Sequence, residues 1–274
     1  MKVVSTIAEV RGARADTPSL GLVPTMGFLH PGHLSLVKRA KAECGFAAAS
    51  IFVNPTQFGP NEDFGRYPRA RERDLALLEA EGCDLVFTPE VAEMYSQGFD
   101  ASSEIGGVTE GLEGAARPGH FAGVATVVAK LFNIFQPTRA YFGQKDAQQC
   151  AVIRKLVRDL DMPLDVVICE TVREADGLAM SSRNAYLSPE ERDKATVLIR
   201  ALRAAAASDS RDAEVLRSLM RDTVQAEPLA KLDYVSAADP DSLQELTTLD
   251  DRGALLSLAV RFSGARLIDN LIIP

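Results

Sequence analysis

The sequence predicts an α/β fold, with a parallel sheet covered by helices on both faces and a smaller α+β unit after it. Short, continuously apolar runs alternate with stretches of helical periodicity as far as about residue 176. Strands that are apolar along their whole length are typical of parallel sheets buried on both faces. Beyond that point two helical stretches precede three apolar runs, the pattern of a small antiparallel sheet. We therefore expect two domains, 1–176 and 177–274.

The elements of the first domain follow from apolar runs and from helical spacing. An apolar run at 20–23 precedes a stretch, 34–42, in which apolar residues recur at helical spacing. The other strands are predicted at 46–53, 84–87, 140–142 and 164–170. The other helices are predicted at 69–81, 121–135 and 147–160. Because loops at the carboxyl ends of parallel strands gather at one edge of the sheet, we expect the functional loops there.

The second domain begins after a polar stretch. Ser188, Pro189 and Glu190 form a helix start, with a capping residue, a first-position proline and an acidic first turn. Helices are predicted at 189–207 and 211–226. Strands are predicted at 232–237, 254–262 and 265–273. This unit is too small to be a separate enzyme, and we expect it to close over the first domain.

Composition limits the classes of function. The 274 residues carry a formal net charge of −8, which argues against nucleic acid as a partner because binding to the phosphate backbone needs a basic face. The most apolar long stretch, 121–135, is interrupted by Lys130 and Asn133, so we expect no membrane span. The four cysteines form no CxxC pair and indicate buried thiols in a reducing compartment. Without a secretory signal pattern, the expected location is the cytoplasm.

The stretch from Pro24 to His33 gives the strongest functional signal, because it joins the first predicted strand to a helix. The first turn of a helix offers free backbone N–H groups and partial positive charge, which favour phosphate. Gly27 and Gly32 let a ligand approach the backbone closely. His30 and His33 can donate hydrogen bonds to a phosphoryl oxygen as negative charge grows there.

Two alternatives remain for this histidine pair. The two rings could bind a metal ion, but the only other histidine is His120 and no third ligand of matching type is nearby, so any metal ligands stay unknown. The pair could also be purely structural. Against that interpretation, two of the three histidines in the chain lie in this one turn.

Three further loops each follow a predicted strand. Asn54 and Gln57 have amides that both donate and accept, which suits a substrate with hydroxyls and a carboxylate, although an ordinary surface loop is the alternative. In 143–146, Lys145 can reach phosphates as a compact charge. Asp146 can cap the next helix, or lie near a metal ion or a ribose.

The third loop, 171–184, contains Ser181, Ser182 and Arg183. Two hydroxyls and a guanidinium suit a polyphosphate leaving group, although such a turn by itself is more often structural. Either Gln148 or Gln149 can turn back to the cleft. Three residues near the helix 121–135 have no role assigned from the sequence: Glu113, Arg117 and His120. His120 could cap that helix.

The string from Pro24 through Val37, with its His-x-Gly-His pattern, resembles the pantoate–β-alanine ligase family of the nucleotidyltransferase superfamily. The strings 54–63, 67–69, 143–149 and 171–184 extend the resemblance, which is dense over about 20–190 and thin before 18 and across 205–253. It implies a Rossmann-like first domain, a C-terminal lid and a homodimer. It also implies that pantoate attacks MgATP to form pantoyl adenylate, and that β-alanine then displaces AMP.

The resemblance also implies residue roles. The catalytic residues would be His33, His30, Lys145, Ser181, Ser182 and Arg183, with His33 as proton donor. ATP would be bound by Pro24, Met26, Gly27, His30, Gly32, His33, Gly143, Gln144, Lys145, Asp146, Val172, Met180, Ser181, Ser182 and Arg183. Pantoate would be bound by Gln57, Gln149 and Asn54, and β-alanine by Gln57. The alternatives are a nucleotidyltransferase that stops after nucleotide transfer and a nucleotide-binding regulator without turnover.

Overall fold

The computed structural model of the chain describes residues 1–60 and 62–274. Residue 61, in the loop predicted after the second strand, therefore lies outside the described residues. The amino-terminal part contains, in order, β1 (Lys2–Val4), α1 (Ile7–Arg14), β2 (Leu20–Thr25), α2 (Pro31–Cys44), β3 (Phe46–Ile51), α3 (Arg71–Ala80), β4 (Leu85–Phe87), α4 (Val91–Met94), α5 (Leu112–Ala116), α6 (His120–Phe135), β5 (Arg139–Gly143), α7 (Ala147–Asp159) and β6 (Asp165–Cys169). The carboxyl-terminal part contains α8 (Pro189–Lys194), α9 (Val197–Ala206), α10 (Ala213–Gln225), β7 (Lys231–Ala238), β8 (Ala254–Arg261) and β9 (Arg266–Ile273).

The large sheet has six strands in the order β1-β4-β3-β2-β5-β6. All of its pairings are parallel, so the predicted parallel sheet is confirmed. Helices α2 and α3 contribute to the core on one face of the sheet, and α1, α6 and α7 contribute to the core on the other. The carboxyl ends of β2, β3, β5 and β6 consequently open onto one edge between the two helical layers.

Helix α2 packs closely on β2 because Gly21 lacks a side chain. A Cβ at Gly21 would lie 2.9 Å from the Cβ of Ala40 and 3.0 Å from Cε2 of Tyr141. This contact presses the helix onto the sheet directly behind the strand that leads into it. The first turn of α2 is thereby fixed at the carboxyl edge of the sheet.

The small sheet is antiparallel, in the order β7-β8-β9, as predicted. It packs with α9 and α10 around its own hydrophobic cluster, separate from the clusters on the large sheet. The single helix predicted over 189–207 is wrong, because α8 and α9 are two helices separated by Ala195 and Thr196. The hydroxyl of Thr196 donates to the carbonyl of Asp193 at 3.0 Å, a local bond that competes with regular helical pairing.

Elements β1 and α1 have no counterpart among the predicted elements, and the predicted start of α2 is three residues too late. β1 has only three residues, and in α1 only Val10 is fully buried, so neither element has a strong apolar pattern. Of the four free cysteines, Cys83, Cys150 and Cys169 are buried as expected. Cys44 is only half-buried, with its Sγ 3.4 Å from the Tyr141 hydroxyl. Within 1–60 and 62–274, every helix is too short or too polar to cross a membrane.

A buried ion pair joins the two parts of the chain. Both terminal nitrogens of the Arg266 guanidinium on β9 donate to the carboxylate of Glu113 on α5, at 2.6 and 2.7 Å. The Tyr234 hydroxyl on β7 donates to the same carboxylate at 3.0 Å. Burial, together with the charge of Glu113, raises the pKa of Tyr234 above its ordinary range. Glu113, whose role the sequence left open, therefore anchors the small sheet to the amino-terminal part.

Replacing Glu113 with alanine should lower the free energy of unfolding by about 3 kcal/mol, because the variant leaves the Arg266 charge buried with a weaker set of partners. The side chains of Glu113 and Arg266 are only 8% and 16% exposed. Urea unfolding followed by circular dichroism measures the change. Glu104→Ala, at an exposed glutamate in the preceding loop, is the control, for which a change within about 0.5 kcal/mol is expected. Equal stability of the two variants would contradict the anchoring role.

Candidate active site

A cavity of about 220 Å³ lies at the carboxyl edge of the large sheet, and we call it the edge cavity. It is lined by loops that follow β2, β3, β5 and β6, and by one face of α6. All but two of the site residues predicted from the sequence line this cavity. These lining residues are Pro24, Met26, His30, Gly32, His33, Asn54, Gln57, Gly143, Lys145, Asp146, Gln149, Val172, Met180, Ser181, Ser182 and Arg183. A second cavity of about 400 Å³ adjoins it and reaches the small sheet.

Gly27 and Gln144 do not line the edge cavity. Gly27 has a φ of +84°, and a Cβ there would lie 3.0 Å from both Oδ2 of Asp74 and Cγ2 of Ile51, so this glycine serves the turn itself. The amide of Gln144 donates to Oδ1 of Asn270 on β9 at 3.2 Å. This hydrogen bond directs the Gln144 side chain toward β9, so the predicted nucleotide contact of Gln144 stays a prediction without support from the lining of the cavity.

A buried carboxylate that the sequence analysis missed fixes the turn before α2. Asp74 on α3 accepts hydrogen bonds from the backbone N–H groups of Phe28 at 2.7 Å and Leu29 at 2.8 Å. Its charged neighbours in the sequence are typical of a solvated helix face, yet Asp74 is 1% exposed. The available signal was its spacing, four residues before the fully buried Leu78, which puts both on one helix face.

His30 and His33 lie next to each other in the first turn of α2. Their ring centroids are 4.0 Å apart, and Nδ1 of His33 accepts the backbone N–H of His30 at 3.4 Å. A neutral His33 ring that accepts through Nδ1 carries its proton on Nε2. A Cβ on Gly32 would lie 2.9 Å from Nδ1 of His30, so a glycine is required beside that ring.

Both histidines are neutral at physiological pH. Burial, followed by the neighbouring His30 ring, lowers the pKa of His33 to about 3. Burial, followed by the Lys145 ammonium, lowers the pKa of His30 to about 4. Nδ1 of His30 is also buried without a hydrogen-bond partner among the described residues. The pair therefore offers neutral N–H donors, and one unsatisfied ring nitrogen, to a ligand.

Backbone groups fix the orientation of the Asn54 and Gln57 amides. Oδ1 of Asn54 accepts the backbone N–H of Thr56 at 3.3 Å, and its Nδ2 donates to the carbonyl of Gly123 at 3.1 Å. The same Nδ2 lies 3.1 Å from the side-chain oxygen of Gln57, which must therefore accept. Gln57 is left with its Nε2 group as the donor, close to Sδ of Met26 at 3.3 Å.

The two adjacent glutamines of α7 point in different directions. Gln148 is buried, accepts from the N–H of Glu113 and donates to the carbonyls of Val108 and Gly111. Gln149 lines both cavities. Of the two glutamines that the sequence left open, Gln149 faces the cleft and Gln148 holds the loop before α5.

Lys145 and Asp146 lie side by side in the lining of the edge cavity. Nζ of Lys145 lies 3.3 Å from Oδ1 of Asp146. Burial alone raises the pKa of Asp146, but Lys145 and then Arg183 lower it, and the net pKa is below its usual range. Asp146 occupies the N-cap position of α7 without a side-chain capping bond, so of the alternatives for this residue side-chain capping is not the one that the structure supports. Asn270 donates to the carbonyl of Lys145 at 2.8 Å and fixes this turn.

The loop 181–183 is tied to the loop after β3. Arg183 donates to both carboxylate oxygens of Asp63 at 3.2 Å, and the Tyr67 hydroxyl lies 3.1 Å from Oγ of Ser182. The hydroxyl of Ser181 accepts the N–H of Arg183. The sequence did not identify Asp63 or Tyr67 as partners, because residues some 120 positions apart leave no local pattern.

The fold and this cavity define a class of protein. A helix amino terminus, two neutral imidazoles and a lysine face one cavity at the carboxyl edge of a parallel sheet. That arrangement is typical of α/β enzymes that bind a nucleotide through its phosphates. Among the described residues there is no group of three or more histidine, cysteine, aspartate or glutamate side chains that could hold a metal ion.

Comparison with known proteins gives the particular family. Residues 2–272 match the family model described as pantoate-beta-alanine ligase, and the chain belongs to this family. The pantothenate synthetase of Herpetosiphon aurantiacus is 66% identical over 275 residues, which cover 99% of this chain and 100% of that protein. The pantothenate synthetase of Gluconobacter oxydans is 54% identical, over 99% of each chain.

Solved structures agree with this assignment. The pantothenate synthetase of Thermus thermophilus superposes with a TM-score of 0.96 at 51% identity, over 100% of both chains. A pantoate-beta-alanine ligase from Francisella tularensis, described as complexed with beta-gamma ATP and beta-alanine, gives a TM-score of 0.82 at 34% identity, over 99% of this chain and 97% of that one. The chain is thus an enzyme, a ligase that joins pantoate to β-alanine with the use of ATP.

Asp74→Asn should lower the free energy of unfolding by about 2 kcal/mol, because the amide nitrogen that replaces one of the two accepting oxygens can only donate and would face a backbone N–H group. Turnover should fall as well, since the displaced turn carries His30. The control is Glu72→Gln, which removes an exposed charge from the same helix. Urea unfolding and steady-state kinetics measure both effects. Normal turnover in Asp74→Asn would exclude this carboxylate as the support of the turn.

Stability should fall as the pH is lowered from 7 to 5.5. The unfolded chain binds protons on its histidines from about pH 6.5 downward, whereas the folded His30 and His33 rings stay neutral down to about pH 4. Because the unfolded state then binds more protons, each ring removes about 1.2 kcal/mol of stability across this window. Urea unfolding at several pH values measures the slope. His33→Gln should show a shallower slope than the unsubstituted protein, and an unchanged slope would contradict this account.

Proposed function

We propose that the edge cavity binds ATP and pantoate side by side, and that the chain makes pantothenate there through a pantoyl adenylate. The observation that supports this proposal is that phosphate-binding groups and two polarised amides face one cavity. His30, His33 and Lys145 line it together with Gln57 and Gln149. The Francisella relative described as complexed with beta-gamma ATP and beta-alanine supports ATP and β-alanine as ligands of this family.

In the first step a carboxylate oxygen of pantoate attacks the α-phosphorus of ATP. The new P–O bond forms as the bond to the leaving pyrophosphate breaks. Such transfer needs positioning and stabilisation of charge rather than a nucleophilic side chain. His33 would donate its Nε2 proton in a hydrogen bond to the phosphate oxygens, with His30 beside it. Lys145 would neutralise charge on the same group.

The remaining nucleotide contacts come from loops around the cavity. Ser181, Ser182 and Arg183 would hold the departing pyrophosphate once Arg183 exchanges Asp63 for phosphate oxygens. Met26, Val172 and Met180 would form the apolar wall beside the nucleotide. These contacts use the backbone and side chains of two loops, so ordering of 180–183 by nucleotide is expected.

The groups proposed to hold pantoate are neutral amides. Gln57 would donate through Nε2, because its oxygen already accepts from Asn54. Gln149 would supply a second amide. A carboxylate at either position would repel the substrate carboxylate, whereas an amide can both donate and accept.

In the second step the amine of β-alanine attacks the acyl carbon of the adenylate. A C–N bond forms, the C–O bond to AMP breaks, and AMP leaves with the electron pair. Gln57 would also contact β-alanine. The second cavity, which shares Lys145, Gln149 and Arg183 with the edge cavity, leads from the small sheet to this position.

Mg²⁺ would arrive with the nucleotide. Two carboxylates, Asp146 and Glu170, line the edge cavity, and a magnesium ion that is held mainly by phosphates and water needs only one or two protein carboxylates. Asp146, beside Lys145, is the better placed to hold it. Bound there, the ion would neutralise phosphate charge.

Three broader predictions accompany this function. The division into domains 1–176 and 177–274 is supported by the separate hydrophobic clusters of the two parts. A homodimer and a cytoplasmic location follow from the family resemblance alone. The alternatives, a transferase that stops at a nucleotide conjugate and a regulator without turnover, are not favoured by the comparisons.

Exchange of labelled pyrophosphate into ATP tests the two-step order. With pantoate and Mg²⁺ present, the purified protein should catalyse exchange without β-alanine, because the adenylate forms first. Omission of pantoate should abolish exchange and provides the control. If exchange strictly requires β-alanine, the two-step order is wrong. If a stable nucleotide conjugate accumulates instead, the transferase alternative is favoured.

His33→Ala should reduce turnover about 100- to 1,000-fold while changing ATP affinity little. The hydrogen bond from this ring strengthens only as negative charge develops in the transition state. Its loss therefore lowers the rate much more than it lowers the affinity for ATP. Steady-state kinetics and equilibrium ATP binding separate the two effects. Lys38→Ala, an exposed position on the same helix, is the matched control. A variant with near-normal turnover removes His33 from the mechanism.

A further inference from the structure

The ring of His120, at the first position of α6, is engaged at both nitrogens. Its Nδ1 lies 2.8 Å from the backbone carbonyl oxygen of Gln57, and its Nε2 lies 3.0 Å from a guanidinium nitrogen of Arg117. The residue before it, Gly119, occupies the capping position of α6. His120 therefore contacts the loop after β3 instead of capping its own helix.

These two contacts determine where the ring carries its proton. A guanidinium can only donate, so Nε2 of His120 must accept. A neutral ring that accepts at Nε2 has its proton on Nδ1, and Nδ1 then donates to the Gln57 carbonyl. Burial, followed by the Arg117 charge, lowers the pKa of His120 to about 4, which keeps the ring neutral.

Arg117 is itself held by a carboxylate. Its Nε and its other terminal nitrogen donate to the two oxygens of Glu62, both at 2.6 Å. Burial alone raises the pKa of Glu62, but Arg117 lowers it, and the net pKa lies below its ordinary value. A continuous series of hydrogen bonds consequently runs from Glu62 through Arg117 and His120 to Gln57.

The loop at Gln57 is already pressed against α6. A Cβ on Gly123 would lie 2.4 Å from the carbonyl oxygen of Thr56 and 2.7 Å from Cα of Gln57. Asn54 holds the side-chain oxygen of Gln57. These contacts hold the side-chain oxygen of Gln57 and one side of its backbone. The hydrogen bond from His120 to the Gln57 carbonyl then determines the remaining position of the residue.

We propose that His120 is a positioning residue for Gln57, and that Arg117 selects the ring tautomer that makes this possible. The inference rests on the proposed binding of pantoate at Gln57. His120 lines the edge cavity, yet both its nitrogens are occupied by protein groups, so it acts on the substrate through Gln57. Loss of the bond lets the 3₁₀ turn at Pro55–Gln57 shift and moves the Nε2 donor.

Two substitutions of similar polarity separate this role from a general structural one. In His120→Asn the amide nitrogen can take the place of Nδ1 and still donate to the Gln57 carbonyl. In His120→Gln the amide reaches the place of Nε2 and leaves that carbonyl without its donor. Steady-state constants for pantoate and ATP are measured for both variants, with thermal unfolding of each.

His120→Gln should raise the pantoate KM roughly 5- to 10-fold, with little change in the ATP KM. His120→Asn should remain close to the unsubstituted enzyme. Equal pantoate KM values in the two variants, whether raised or normal, overturn the proposal. Gln57→Ala is assayed in parallel. If this variant leaves the pantoate KM unchanged, the proposed pantoate site is wrong. If it raises the pantoate KM while the two His120 variants have equal pantoate KM values, only the positioning role is overturned.

The tautomer can be observed without activity, even if a His120 variant fails to fold. The chain has three histidines, so ¹⁵N-histidine labelling gives few ring signals, assigned through His30 and His33 variants. His120 should be neutral with its proton on Nδ1, and Arg117→Ala should shift this equilibrium toward Nε2. Arg66→Ala, at an exposed arginine, is the control and should leave the ring unchanged. A ring protonated on Nε2 in the unsubstituted protein overturns the proposal.

Discussion

The geometry of the candidate active site depends on one buried carboxylate, that of Asp74. Gly27 and Phe28 both have positive φ values, +84° and +50°, which the turn needs in order to redirect the chain from β2 into α2. Such a backbone is costly for a residue with a side chain and persists only when its surroundings hold it. Asp74 does so by accepting two consecutive N–H groups. The placement of His30 and His33 follows from that pair of hydrogen bonds.

Much of the fold could be predicted from the sequence, because the strands that build its centre are continuously apolar. β2 and β3 lie between other strands, so their local composition reports their environment. β1 and α1 escaped prediction because each buries few side chains. The division of 189–207 into two helices coincides with a hydrogen bond from the Thr196 hydroxyl to the Asp193 carbonyl, which no periodicity reveals.

The site could be predicted in outline for a related reason. Loops at the ends of parallel strands must meet at one edge, so the histidines, Lys145 and the amides could be grouped from sequence order alone. The hydrogen-bond partners that hold these residues and their loops could not be predicted in this way. Asp74, Asp63 and Asn270 act on residues 45 to about 125 positions away, and only tertiary packing shows that they are neighbours. The direction of Gln144 and of Gln148 was undetermined for the same reason.

The three cations that line both cavities are each paired with a carboxylate. Arg183 is bound to Asp63, Lys145 lies beside Asp146, and Arg117 is bound to Glu62. A small anion such as inorganic phosphate gains one new partner but must displace a carboxylate to obtain it. The net gain in binding free energy is therefore small. Under the proposed function, ATP would replace the partners of Lys145 and Arg183 at once and would add the contacts of its base and sugar. Under that function, the pairing of these cations would select for a ligand with many contacts over simple phosphate.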